Sequence, residues 1–173
     1  MTSGQTVSAK EMGSALWQFC CSLSDDFDKN LGPEFRAKGF LRDSAENRTF
    51  LVENVLLHFW IIWSALDGDK DVLEVFNAFF INADMTQNQG RASEVLRDRF
   101  ALYNEAFRRD QERLAQGQIP RYLRSAALQC LLSNGNLDES KIGWSVGSAT
   151  GIRLWTTFPE VRKFRAQFRI RGA

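Results

Sequence analysis

The sequence predicts an all-α protein, a single helical bundle-like domain of about six or seven helices, and three observations support this. The 173 residues are 44% hydrophobic and 25% charged, which is typical of a globular domain. Apolar residues recur at helical spacing along most of the chain, and residues that begin or end helices stand between these segments. Because this length suits one domain and is hardly enough for two, we expect residues 1–173 to form one domain.

The first helix is predicted over residues 9–23. Ser8 and Glu11 have the spacing of a capping box, in which the serine and the glutamate satisfy each other's backbone amides. The aspartate-rich residues 24–29 are expected to form a loop or a second cap. Pro33 suits the first turn of a short helix that follows.

The clearest element is a helix over residues 44–66, which we expect to lie at the centre of the fold. Apolar side chains surround most of its circumference, so it needs neighbours on most sides. Asn47, Asn54 and His58 share one narrow polar strip of this helix. Asp67 and Gly68 should end it, because glycine accepts the left-handed conformation that often follows a last helical turn.

Three more helices are predicted over residues 69–83, 91–116 and 120–132, with a polar loop at 85–90 between the first two. Asn134 and Gly135 indicate a turn after the third.

The segment near residues 141–157 fits two structures. Apolar residues alternate with glycine and serine from Ile142 to Gly147, which favours a short hairpin. A helix is the preferred prediction because the rest of the chain is helical. Pro159 is then expected to begin a last helix that ends near residue 170.

Charge divides the chain into two halves of opposite sign. Residues 1–90 hold 7 Lys or Arg against 13 Asp or Glu, whereas residues 91–173 hold 15 against 8. The halves could pack together and neutralise each other, or the arginine-rich half could bind an anionic partner. The last predicted helix and the residues just after it carry most of the candidate anion-binding residues. These are Arg162, Lys163, Arg165, Arg169 and Arg171.

No catalytic residue, metal ligand or cofactor is predicted. Residues 143–147 match the G-x-S-x-G motif of hydrolases, but no apolar strand precedes Ser145 and no histidine follows it. One histidine and three scattered cysteines give no zinc-binding spacing. The odd number of cysteines favours buried thiols in a reducing compartment, and hence a cytoplasmic location. The longest apolar segment contains Glu53, Asn54 and His58, so a membrane span is not expected.

These observations favour a non-enzymatic protein-interaction module, such as a subunit, adaptor or accessory factor, that binds another protein or forms a homo-oligomer. One alternative is a nucleic-acid-associated factor that binds phosphates through the basic C-terminal helix. A second alternative is a small-ligand binder or enzyme with a pocket at Asn47, Asn54 and His58. The same strip could instead be a set of core polar groups whose hydrogen bonds are satisfied by packing.

Overall fold

The computed structural model describes residues 5–132, 137 and 139–171, and in this part of the chain six α-helices and two short strands confirm the all-α prediction. The helices are α1 (Ala9–Ala37), α2 (Ser44–Ala65), α3 (Lys70–Asn88), α4 (Arg91–Ala115), α5 (Tyr122–Leu131) and α6 (Trp144–Arg165). A 3-10 turn at Glu139–Lys141 precedes α6. The predicted turn at Asn134 and Gly135 lies outside the described residues.

The helix α2 lies at the centre of the fold, as its apolar circumference predicted. It packs against α1, α4, α5 and α6. Its second half is almost completely buried, including Trp60 and Phe59, whose rings contact aromatic residues of α3, α4 and α6. Gly68 follows the helix with φ of 104°, so the predicted glycine stop is confirmed.

The helix α1 is longer than predicted, because residues 24–29 continue it and Pro33 lies inside it. Leu23, Phe27, Leu31 and Phe35 are all buried and keep a four-residue period through the aspartate-rich segment. Proline removes one hydrogen bond from a helix, but Pro33 is exposed and lies in the last turns, where the cost is small. The predictions of a loop at residues 24–29 and of a short second helix at Pro33 were therefore wrong.

The polar loop predicted at residues 85–90 is largely the end of α3. The helix continues to Asn88 and ends where Gln89 and Gly90 adopt left-handed conformations, with φ of 58° and 81°. The buried carboxylate of Asp84 then accepts hydrogen bonds from the amides of Ala92 and Ser93 at the start of α4. A sharp turn fixed by one aspartate thus replaces the predicted loop.

Residues 144–165 form one helix, so the hairpin alternative was wrong, and so was a separate helix beginning at Pro159. Val146, Thr150, Leu154 and Phe158 are buried at a regular spacing of four, which is a helical period that outweighs the local alternation with glycine. Pro159 is exposed on the outer surface of α6, and the helix continues through it although proline cannot donate a backbone hydrogen bond.

The predicted last helix ends early, because residues 168–170 form a strand. Gln5–Val7 (β1) and Phe168–Ile170 (β2) pair in parallel, with Val7 opposite Ile170. The amide of Arg171 also donates to the Val7 carbonyl oxygen at 2.9 Å. The pairing joins segments from the beginning and the end of the described chain, so no local pattern predicts it.

Candidate functional site

The polar strip of α2 does not form the predicted three-residue pocket. His58 is completely buried, and its Nδ1 lies 2.9 Å from the carbonyl oxygen of Asn54. The amide nitrogen of Asn54 donates to the carbonyl oxygen of Ser24 in α1 at 2.8 Å. The ring of Phe27 closes one side of His58 by an edge contact. These contacts fit a histidine and an asparagine packed in the core between α1 and α2.

Burial keeps the His58 imidazole neutral near neutral pH. Desolvation lowers its pKa from 6.5 to about 4, against the opposing effect of the bond to the Asn54 carbonyl oxygen. Because a carbonyl oxygen can only accept, Nδ1 carries the ring proton and Nε2 is an acceptor. Nε2 and the side-chain oxygen of Asn54 both lack a hydrogen-bond partner among the described residues.

Asn47, the third member of the strip, lies apart from this buried pair. It occupies the first turn of α2, where its Oδ1 accepts from Nε of Arg36 at 3.0 Å. Its amide nitrogen donates to the carbonyl oxygen of Asp43 at 2.7 Å. Asn47 therefore links the end of α1 to the start of α2. Its predicted association with His58 was based only on their spacing along α2.

The structure also divides the candidate anion-binding residues of the predicted C-terminal helix. Arg165 is partly buried and donates to Asp69 at 2.6 Å and to the carbonyl oxygen of Phe168 at 2.9 Å. Arg162 and Lys163 are exposed on α6, whereas Arg169 lies in β2 and Arg171 follows it. The five residues thus occupy a helix end, a strand and a turn, so the prediction of one basic helix that carries Arg162, Arg165 and Arg169 together was wrong.

Ion pairs connect the acidic and basic halves of the chain. The guanidinium groups of Arg99, Arg153 and Arg165 bind Glu53, Asp26 and Asp69, at 2.5, 2.5 and 2.6 Å. The carboxylate of Glu53 raises the pKa of Arg99 above its ordinary value, despite burial. Part of the charge asymmetry is therefore neutralised within the fold.

A basic cluster that the sequence analysis missed lies where α4 meets α5. The guanidinium carbon of Arg109 is 3.6 Å from the ring centre of Tyr122, and those of Arg121 and Arg113 are 5.3 and 5.9 Å from it. Hydrogen bonds from Arg121 and Arg109 lower the pKa of Tyr122. The arginine-rich end of the predicted 91–116 helix was the available signal in the sequence.

One face of α6 is exposed and carries no charge from its first residue to Thr156. Trp144 is 86% exposed and Ile152 is 66% exposed. Ser145, Ala149 and Thr156 complete this exposed α6 face and are all exposed as well. Ser145, the serine of the G-x-S-x-G match, lies in the first turn of this helix and not at a turn between a strand and a helix.

The three cysteines are free thiols. Cys20 and Cys130 are buried, and Cys21 is half-buried. Across the described ranges, no group of three or more His, Cys, Asp and Glu residues is arranged to bind a metal ion.

Comparisons with protein-family models, curated proteins and solved structures found no significant match for this chain. Within the described part of the chain, none of the helices combines the length and the apolar character needed to cross a membrane.

Proposed function

We propose that this protein is a non-enzymatic interaction module that binds a protein partner through the exposed α6 face. The observation that carries the proposal is the exposure of Trp144 and Ile152 on a helix surface without charged side chains. The solvent-facing side of a helix in a globular protein is ordinarily polar and charged. A tryptophan exposed to this extent is more typical of a residue that a partner covers, since tryptophan is enriched at the energetic centres of interfaces.

The packing of α6 explains why this face is available to a partner. Its opposite face, with Leu154, Phe158 and Val161, is buried against the core. The one charged residue next to Ile152, Arg153, turns away from the exposed face to pair with Asp26 in α1. The helix is therefore held firmly on its inner side, and a partner would meet a preformed surface.

A stable interface must extend beyond these side chains. Specific interfaces usually bury at least about 1,000 Å² of total surface, more than one tryptophan and one isoleucine can supply. Trp144 and Ile152 would be the anchors, and the small side chains of Ser145, Ala149 and Thr156 would allow close approach between them. In this proposal the protein works in the cytoplasm and catalyses no reaction.

The nucleic-acid alternative has less geometric support. It depended on a row of phosphate-binding arginines along one helix, but Arg165 is engaged by Asp69 and Arg169 lies in β2. Phosphate binding would be weakened strongly by salt through counterion release, whereas an apolar interface would not.

The test compares the wild-type chain with a Trp144→Ser, Ile152→Ser double variant. We expect the variant to lose self-association measured by sedimentation, or to lose proteins captured by the wild-type chain from a source lysate. Because both side chains face solvent, the free energy of unfolding should change by no more than about 0.5 kcal/mol. A self-associating wild type would identify the partner as a second copy.

The matched control is Ile81→Ser, which removes an isoleucine exposed to 42% on α3. It should keep every interaction of the wild-type protein. The proposal fails if the wild type remains monomeric and captures nothing that the double variant lacks. It also fails if Ile81→Ser abolishes the same interactions.

A further inference from the structure

A cleft beside the first part of α2, with no α6 residue in its lining, has a polar outer part and a mainly apolar inner part. The outer part has a volume of about 660 Å³ and is lined by residues that include Arg48, Gln87 and Arg91. The inner part has a volume of about 300 Å³, and Trp17, Val55 and other apolar residues form most of its wall. Arg48 and Gln87 line both parts, so the two parts adjoin each other between α1, α2, α3 and α4.

The acidic side chains of this cleft are occupied by partners within the fold. Asp84 accepts hydrogen bonds from Ala92 and Ser93, and although burial alone would raise the pKa of Asp84, the bonds from Ser93 and Ala92 lower it. Glu53 accepts three hydrogen bonds from Arg99, between 2.5 and 3.0 Å. Each carboxylate is held on these partners, and neither forms an ion pair with Arg48 or Arg91.

The two arginines at the entrance remain available. Arg48 and Arg91 are both exposed, and neither makes a hydrogen bond or an ion pair with the described residues. A guanidinium group presents paired donors that match the two oxygens of a carboxylate. The entrance is thus positively charged directly beside an apolar chamber.

We propose that the cleft binds a small amphipathic carboxylate, with its apolar body in the inner chamber and its carboxylate at Arg48 and Arg91. Sites for small molecules are commonly concave, of several hundred Å³, and mainly apolar with a few polar groups that fix orientation. A neutral apolar molecule would leave both arginines unpaired, and an inorganic anion would leave the chamber empty. The site is separate from the exposed α6 face, so it does not depend on the proposed function.

Alkylation of Cys21 can report whether a ligand occupies the inner part of the cleft. Its half-buried thiol lines the inner chamber, while Cys20 and Cys130 are buried elsewhere. Burial raises the pKa of the Cys21 thiol, so its alkylation should be slow and should become slower when a ligand covers it. Peptide mass spectrometry distinguishes Cys21 from the other two cysteines.

The experiment measures the binding of decanoate and of decan-1-ol, which share an alkyl chain and differ in charge. We expect the wild type to prefer decanoate and decanoate to slow alkylation of Cys21. An Arg48→Gln, Arg91→Gln variant should bind decanoate at least about tenfold more weakly while its affinity for decan-1-ol is unchanged. The control variant Lys29→Gln, Lys70→Gln removes the same charge from two exposed residues outside the lining of the cleft and should bind decanoate like the wild type.

Each of the following results would overturn the proposal. The wild type could fail to bind decanoate, the Arg48→Gln, Arg91→Gln variant could bind it as tightly as the wild type, or bound decanoate could leave Cys21 alkylation unchanged. Loss of binding in both double variants would equally overturn it, because it would indicate attraction by overall charge and not by these two arginines.

Discussion

The junction between α4 and α5 differs from the exposed α6 face in how well the rest of the chain covers and bonds its side chains. At the junction, Asp110 is completely buried and accepts hydrogen bonds from the amides of Arg121, Tyr122 and Leu123, at 2.7 to 2.9 Å. On α6, by contrast, Trp144 is 86% exposed. The chain thus gives a buried carboxyl group three hydrogen bonds and leaves a large apolar side chain uncovered.

From this difference we expect substitutions in the two regions to have different effects, one on stability and the other on binding. Substitutions at satisfied buried polar groups should change the free energy of unfolding, because a buried amide without a partner is costly. Substitutions on the uncovered α6 face should change binding and leave stability almost unchanged. The three predictions below test the stability side of this comparison.

The largest loss of stability is expected for Asp110→Ala. The substitution leaves three amides at the start of α5 without their acceptor, and we expect about 3 kcal/mol less free energy of unfolding, measured by urea denaturation. Asp98→Ala is the matched control, because Asp98 lies exposed on the same helix. If both substitutions destabilised the protein equally, Asp110 would not hold the junction as described.

His58 should make the protein sensitive to acid. Its pKa is about 4 in the folded protein and about 6.5 when unfolded, so the unfolded chain binds the proton more readily. Its contribution to stability is therefore complete above about pH 6.5 and is lost progressively as the pH falls toward 4. The shift corresponds to about 3 kcal/mol, measurable as the pH dependence of the free energy of unfolding.

The comparison proteins are His58→Leu and His58→Gln, which keep the nearby charges of Asp26 and Arg153 but cannot titrate at this position. Asp26 pairs with Arg153 and both act on His58 electrostatically, so their own effects are common to all three proteins. Each variant should lose less stability than the wild type between about pH 7 and about pH 4. If the free energy of unfolding fell equally with pH in the wild type and in both variants, the low pKa of His58 would be contradicted.

The smallest effect is expected for Asp69→Asn, at the residue that precedes α3 and pairs with Arg165 at the end of α6. The substitution breaks the partly exposed ion pair with Arg165 and should cost about 0.5 to 1 kcal/mol, with a smaller loss at high salt. Asp69 makes no side-chain capping bond to α3, so the measurement reports the ion pair. The exposed Asp67→Asn is the control, and an equal loss there would show that the pair contributes nothing.

Much of the helical architecture was predictable, and the reason lies in local patterns. The capping box of Ser8 and Glu11 marks the start of α1, where both of its hydrogen bonds form. The apolar circumference of α2 required a central position. These features depend on residues within a few turns of one another, so the sequence alone contains the information.

The candidate sites were less predictable, because they combine residues from different helices. The entrance arginines of the cleft come from α2 and the start of α4, and the arginines around Tyr122 come from α4 and from the residue before α5. The sequence analysis grouped Asn47 with His58 because both share a strip of α2, although packing gave them different partners. The face of a helix follows from spacing, whereas the neighbour that meets that face does not.

By itself, the sequence determined that the chain is helical, that α2 is central and where several helices begin. Tertiary structure decided that α1 and α6 continue through Pro33 and Pro159, that β1 pairs with β2, and that Arg165 binds Asp69. The physical reason is that periodicity and capping are set by adjacent turns of the chain. The tolerance of a proline and the partner of a charge depend instead on which surfaces are exposed and which distant segments pack beside them.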